Sequence, residues 1–75
     1  RYAPNKYVLG IKGDYLAIYK TDSDGNMYLE NETLDITKRK IDNLKPQDIK
    51  MLTNGDKYFE CDTRDQAESI LEDYE

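Results

Sequence analysis

One short loop carries the side chains best suited to bind a metal ion. Asp22, Asp24 and Asn26 alternate along a run of turn-forming residues, and Ca²⁺ binds carboxylate and amide oxygens. An EF-hand register fails here, because placing Gly25 at the sixth loop position puts Lys20 at the first position, where a carboxylate is needed. We therefore favour a solvated turn, in which these side chains cap their own backbone, over a weak calcium site.

Groups for catalysis are scarce in this chain. It contains no histidine, and its only serines are Ser23 and Ser69, so a nucleophile would lack its usual activating base. A carboxylate acting as acid or base needs a cleft that 75 residues hardly provide. The single cysteine has no internal disulfide partner, and we expect Cys61 to be a small buried residue on a short strand. The sequence predicts a protein that is not an enzyme and that binds no cofactor or metal.

Tyrosine is the residue type with the clearest potential for recognition. The chain has seven tyrosines, and tyrosine is enriched at protein–protein interfaces. Packing of aromatic rings across strands at the rim of the core is their more common role, and a sheet edge that adds a partner strand is a third interpretation. The candidate protein-binding surface consists of Tyr7, Tyr15, Tyr19 and Tyr28.

The charge of the chain limits the classes of partner. Its formal net charge is −5, which repels phosphate backbones, and the basic cluster Lys38–Lys40 is too short to reverse that field. No stretch approaches the roughly 20 apolar residues that span a bilayer. We therefore expect a protein partner, no nucleic acid and no membrane-spanning segment.

The element that organises the chain is a predicted β-hairpin between Lys6 and Lys20. Two apolar runs flank Gly13-Asp14, a pair that suits a tight antiparallel connection. Tyr15 and Tyr19 would share one strand face, and we expect Tyr7 to lie across from one of them. Gly10 interrupts the first strand, and we favour a β-bulge there over a close approach by another segment.

Further elements follow the hairpin. Met27–Leu29 is a candidate third strand, and residues 30–43 show no assignable pattern. A two-turn helix is predicted from Pro46 to a stop at Asn54-Gly55, and Lys57–Cys61 alternates like a short fourth strand. The last helix begins at the capping box of Thr63 with Gln66 and has an apolar stripe of Ala67, Ile70, Leu71 and Tyr74.

These elements predict one small domain of the α+β class. Its small, three-stranded, mainly antiparallel sheet comes from the N-terminal hairpin and the third strand, with a short fourth strand, and two short helices pack on one side of it. Residues 1–5 are predicted to be a lead-in or linker, and residues 6–75 to form the single domain. Such a domain has a small net stability.

Several stretches of the chain resemble the C-terminal domain of the bypass-of-forespore protein C (BofC) family. The resemblance runs from about Tyr7 to Tyr74 and consists mainly of structural residues and turn formers. Two segments depart from the family pattern, because Thr37–Lys40 is longer and more basic and Asn54–Asp56 resembles an insertion. The stretches that carry the resemblance are the hairpin YVLG with YLAIY, Leu44-x-Pro46, Leu52 with Gly55, and the closing Leu71-Glu72-Asp73-Tyr74.

The resemblance implies an exported regulator. Members of that family act between forespore and mother cell, where they restrain a serine protease that signals sigma-factor processing, and they carry a further N-terminal domain. We accordingly expect a non-catalytic, extracytoplasmic regulatory or protein-interaction domain from a longer exported protein. The alternatives are a structural, assembly or anchoring module of an exported envelope protein and a small-ligand or calcium-binding module. No residue of the family's partner surface carries over to this sequence.

Overall fold

The computed structural model describes residues 2–55 and 57–74, apart from the side chain of Lys57, and shows an α+β fold. Arg1 of the predicted lead-in, Asp56 of the predicted insertion and Glu75 lie outside the described residues. Single 3₁₀ turns occupy Ile41–Asn43 and Lys57–Phe59. The strands and helices are β1 Tyr7–Lys12, β2 Tyr15–Thr21, β3 Met27–Tyr28, α1 Glu32–Asp35, β4 Ile36–Lys40, α2 Pro46–Asn54, β5 Glu60–Cys61 and α3 Arg64–Glu72.

All strand pairs of the described sheet are antiparallel. Strand β1 lies between β5 and β2, while β3 and β4 both pair with β2. The α+β class and the antiparallel sheet are therefore confirmed. The strand count is higher than predicted, because residues 36–40 form β4 in the stretch that shows no pattern, and the register of β4 against β2 is irregular. A strand that is paired irregularly and only half-buried leaves no clean alternation in the sequence.

The predicted hairpin is confirmed. Lys12 pairs with Tyr15, so Gly13 and Asp14 form a two-residue loop. Gly13 has a φ of 63°, whereas Asp14 does not have a positive φ, and glycine at the first loop position is what a type II′ turn requires. The turn therefore places the strands in a register in which Tyr7 pairs with Lys20. The expected pairing of Tyr7 with Tyr15 or Tyr19 is wrong.

Gly10 makes room for an aromatic ring. It pairs in register with Ala17, so the predicted bulge is wrong. A Cβ atom at Gly10 would lie 2.9 Å from Cε1 of Tyr19. The Tyr19 hydroxyl donates a hydrogen bond of 2.9 Å to the backbone carbonyl of Ile11, which holds the ring over the glycine.

Replacing Gly10 with alanine is expected to destabilise the fold by about 1 kcal/mol. The clash with the Tyr19 ring outweighs the smaller gain from stiffening the unfolded chain. Urea unfolding followed by circular dichroism measures the change. The matched background is Tyr19→Ala, in which Gly10→Ala should cost nothing. An equal cost in both backgrounds would show that the ring is not the reason for the glycine.

The helix ends and the core follow the sequence closely. Gly55 ends α2 with a φ of 76°, and Thr63 with Gln66 forms the predicted capping box of α3. Strand β5 is shorter than expected, because Lys57–Phe59 turns as 3₁₀ and so brings Phe59 into the core. Cys61 is buried as predicted. The buried cluster consists of Val8, Leu9, Leu16, Ile18, Leu52, Phe59, Cys61, Ala67 and Leu71.

A buried hydroxyl helps to hold the N-terminal residues against the sheet. The Thr21 side chain donates a hydrogen bond to the carbonyl of Ala3 and accepts one from the backbone amide of Lys6. Thr21 is fully buried, so both bonds offset the cost of burying its hydroxyl. No described helix is both long and apolar enough to cross a membrane.

Candidate functional site

An open groove of about 610 Å³ is lined by residues from β2, α1, β4 and α3. Its lining includes the side chains of Ile18 and Leu71, which belong to the core and are 4% and 8% exposed. Leu34 on α1 also lines the groove and is 75% exposed. The groove therefore has the exposed side chain of Leu34 on one wall, next to the core residues Ile18 and Leu71.

Helix α1 is oriented in an unusual way, because its buried residue is charged and its leucine is exposed. Asp35 is only 2% exposed. Its Oδ1 atom accepts a hydrogen bond of 2.5 Å from Nη1 of Arg64 on α3, and its Oδ2 atom accepts one from the backbone amide of Asn31. The carboxylate thus fastens α1 to α3, and this attachment leaves Leu34 in solvent.

Local interactions alone cannot hold α1. The side chain of Asn31 accepts hydrogen bonds from the backbone amides of Thr33 and Leu34, which caps the helix. A helix of four residues is far below the length that is stable by itself. The position of α1 therefore depends on its attachment to α3.

Arg64 belongs to a wider charged network. Its Nη2 atom donates a hydrogen bond of 3.0 Å to Glu30, and the other carboxylate oxygen of Glu30 lies 3.8 Å from Nζ of Lys20. The ring of Tyr7 has both cations near its centroid, with Nζ of Lys20 and Cζ of Arg64 each at 5.1 Å. The hydrogen bond to Asp35 is the main cause that raises the pKa of Arg64 above its ordinary value. Arg64 therefore keeps its positive charge at neutral pH and well above it.

Two glutamates of α3 complete the rim of the groove. Glu68 and Glu72 are exposed, and among the described residues neither takes part in an ion pair. Arg39 on β4 also lines the groove, and its Nη1 atom donates a hydrogen bond of 3.0 Å to the backbone carbonyl of Leu71. Glu68 and Glu72 therefore present their charge to solvent.

The four predicted tyrosines lie on two faces of the sheet. Residues directly opposite each other on neighbouring strands share a face, and Lys20 pairs with both Tyr7 and Tyr28. Tyr15 and Tyr19 occupy alternate positions on β2 and so lie on the other face. Tyr28 is 43% exposed, and the other three are partly buried. The tyrosine surface stays a prediction, and its four residues form one pair on each face of the sheet, Tyr7 with Tyr28 and Tyr15 with Tyr19.

The acidic loop after β2 is occupied with its own backbone. The Oδ1 atom of Asp22 accepts hydrogen bonds of 2.9 Å from the amides of Asp24 and Asn26. The self-capped turn predicted for this loop is therefore present. Within residues 2–55 and 57–74, no three cysteine, aspartate or glutamate residues are grouped so that they could hold a metal ion.

The sequence did not predict the groove. Its principal residues fall in two places: Leu34 and Asp35 lie in the stretch without a pattern, and Arg64 is part of a helix predicted only from its caps and apolar stripe. The one available signal was Asn31, a good N-cap residue followed by acidic residues that favour a first helical turn.

Comparisons of this chain with protein-family models, with curated proteins and with solved structures found no match. The resemblance to the BofC family therefore rests on the residues quoted for it. The geometry of the groove is the remaining basis for a functional proposal.

Proposed function

We propose that this chain is a non-catalytic protein-interaction domain that holds a segment of another protein in the groove between α1 and α3. The observation that carries the proposal is the exposure of Leu34, which is 75%. Isolated exposed leucines are ordinary on protein surfaces. This one lies on the wall of a groove that also reaches core residues, and the ion pair between the buried Asp35 and the half-buried Arg64 fixes the helix that bears it.

The charged attachment of α1 supports this role. The pair between the buried Asp35 and the half-buried Arg64 contributes little net stability compared with apolar packing. An arrangement that buried Leu34 and exposed Asp35 would use the leucine for the core. The observed orientation of α1 gives up the stability that burying Leu34 would provide. Binding at an interface would explain this orientation, since binding energy concentrates in a few apolar or aromatic anchors.

The first partner to test comes from the family resemblance. We propose a regulatory role outside the cytoplasm, with a sporulation signalling serine protease as the bound protein. The groove volume of about 610 Å³ suits a few side chains of a partner. Tyr15 and Tyr19, which belong to the tyrosine surface predicted from the sequence, lie on the other sheet face from Tyr7 and Tyr28. Binding there is the alternative to binding in the groove and would shift different amide signals.

The test is an amide-shift NMR titration of the ¹⁵N-labelled chain with the extracytoplasmic part of the protease. We expect the shifts to cluster at Leu34, Thr37, Arg64 and Leu71. Leu34→Ser should weaken binding at least about tenfold, since it removes the apolar anchor. The same change should alter the free energy of unfolding by less than about 0.5 kcal/mol, because the side chain is exposed.

The matched control is Met27→Ser, which removes an exposed apolar side chain outside this groove. It should leave the affinity unchanged. Shifts confined to Tyr15 and Tyr19 would move the interface to the other sheet face and refute the groove. The absence of any shift at saturating protease would refute this partner for the domain.

A further inference from the structure

We infer that the groove selects a partner segment in which an apolar side chain is flanked by lysine or arginine. This inference rests on the proposed function and specifies the chemistry of the bound segment. Its basis is the distribution of charge along α3, where Arg64, Glu68 and Glu72 follow one another at four-residue spacing and so lie on one side of the helix.

The row of Arg64, Glu68 and Glu72 forms a charged stripe along α3. The end of this charged stripe at Arg64 is electrically neutral. Arg64 and Lys20 supply two positive charges, and Asp35 and Glu30 supply two negative charges, so the network sums to zero. Arg64 is also held by hydrogen bonds to Asp35 and Glu30, and both cations lie near the Tyr7 ring. This end of the groove therefore offers little attraction to a charged ligand of either sign.

The other end of the stripe is negative. Glu68 and Glu72 are exposed beside Leu71, and the described ion pairs do not include them. The last turn of α3 contains no basic residue, so the partial negative charge of its backbone carbonyls adds to that of Glu72. Among the described residues that line the groove, Arg39 is the cation nearest to this end, and its guanidinium donates to the Leu71 carbonyl.

Long-range electrostatics favour the same kind of partner. The whole chain carries a net charge of −5, which attracts a basic segment and repels an acidic one during the encounter. A lysine or arginine side chain can lie along apolar surface with its charge at the rim. Such a segment would place its apolar residue near Leu34 and Leu71 and its cation at Glu68 and Glu72.

The test uses two capped hexapeptides of opposite charge that are otherwise identical in sequence. In one, two leucines alternate with two lysines, and in the other, the same leucines alternate with two glutamates. Each peptide is titrated into the ¹⁵N-labelled full chain at low ionic strength. We expect the lysine peptide to bind the groove about tenfold more tightly, and we expect added salt to reduce the difference.

A double variant tests the assigned residues. Glu68→Gln with Glu72→Gln should remove most of the preference for the lysine peptide, and the remaining net charge of the chain accounts for the rest. The matched control, Asp14→Asn with Asp42→Asn, removes the same charge from exposed positions outside the groove and should retain most of the preference.

The outcomes separate this inference from the proposed function. Equal binding of both peptides in the groove, with loss of both on Leu34→Ser, would overturn the charge selection and retain the protein-interaction role. A preference as large in the glutamine variant as in the Asp14→Asn, Asp42→Asn control would overturn the assignment to Glu68 and Glu72. If neither peptide shifts the groove although the protease does, the inference is wrong. If the protease also fails to shift the groove, both this inference and the proposed partner are wrong.

Discussion

Replacing Phe59 with alanine is expected to destabilise the protein by about 4 kcal/mol, the largest effect of any single substitution considered for this chain. Phe59 is the largest of the fully buried side chains and is 0% exposed. Its ring makes an edge contact with Tyr58 at 5.1 Å between centroids and a tilted contact with Tyr74 at 6.4 Å. The substitution removes this packing and leaves a cavity in the core.

The consequence is severe because the domain is small. A chain of 75 residues has a free energy of unfolding of roughly 4 to 11 kcal/mol. Urea unfolding by circular dichroism should show either a much lower midpoint or no folded baseline. Phe59→Leu is the second variant, with an expected cost of about 1.5 kcal/mol, and it can be measured even if the alanine variant does not fold.

The neighbouring aromatic residue is the matched control. Tyr58 is 56% exposed, so Tyr58→Ala should cost less than about 1 kcal/mol through the lost ring contact. Similar costs for Tyr58→Ala and Phe59→Ala would contradict the position of Phe59 as the centre of the core.

Replacing Arg64 with methionine is expected to cost about 3 kcal/mol. The side chain of Asp35 is 2% exposed and would lose its cation, and removing one partner of a buried pair leaves an uncompensated charge. The partial exposure of Arg64, at 35% of its side chain, allows some water to reach the carboxylate and places the cost at the lower end of the usual range. Lys12→Met, at an exposed position, should change stability by less than about 0.5 kcal/mol.

A double-mutant cycle isolates the ion pair from other effects of the substitution. Asp35→Asn keeps the shape of the side chain and removes its charge, so Arg64→Met should cost about 1 to 2 kcal/mol less in that background. Additive costs would show that the two side chains do not stabilise each other. Amide hydrogen exchange in α1 should be faster in the Arg64→Met variant than in the wild-type protein, and this increase should be larger than in the other helices. The reason is that α1 depends on its attachment to Arg64.

The same substitution connects stability with the proposed interface. Loss of Arg64 should free α1 and with it Leu34, so the affinity for the partner should fall even at temperatures at which the rest of the chain is folded. An intact affinity in Arg64→Met would show that the position of α1 does not matter for binding.

The parts of the fold that were predictable share one property, which is that short-range signals define them. Gly13-Asp14 marks the hairpin turn, Gly55 ends α2, and Thr63 with Gln66 begins α3. Each signal acts within a few residues, through a positive φ or a capping hydrogen bond. These elements could therefore be placed without knowledge of the tertiary structure.

The parts that were missed depend on contacts between distant segments. Strand β4 needs β2 as a template. The register of β1 with β2, which separates Tyr7 from Tyr15 and Tyr19, follows instead from a two-residue loop whose turn type the residues Gly13-Asp14 leave open. Gly10 looked like a bulge because a sequence does not show that the Tyr19 ring covers it.

The candidate site shows this division most clearly. Composition and local patterns in the chain were enough to predict the α+β class, the capping box of α3, the buried Cys61 and the acidic charge. The burial of Asp35 and the exposure of Leu34 could be read only from the folded molecule. A four-residue helix has no stable orientation of its own, and a carboxylate is buried only where a distant cation, here Arg64, meets it.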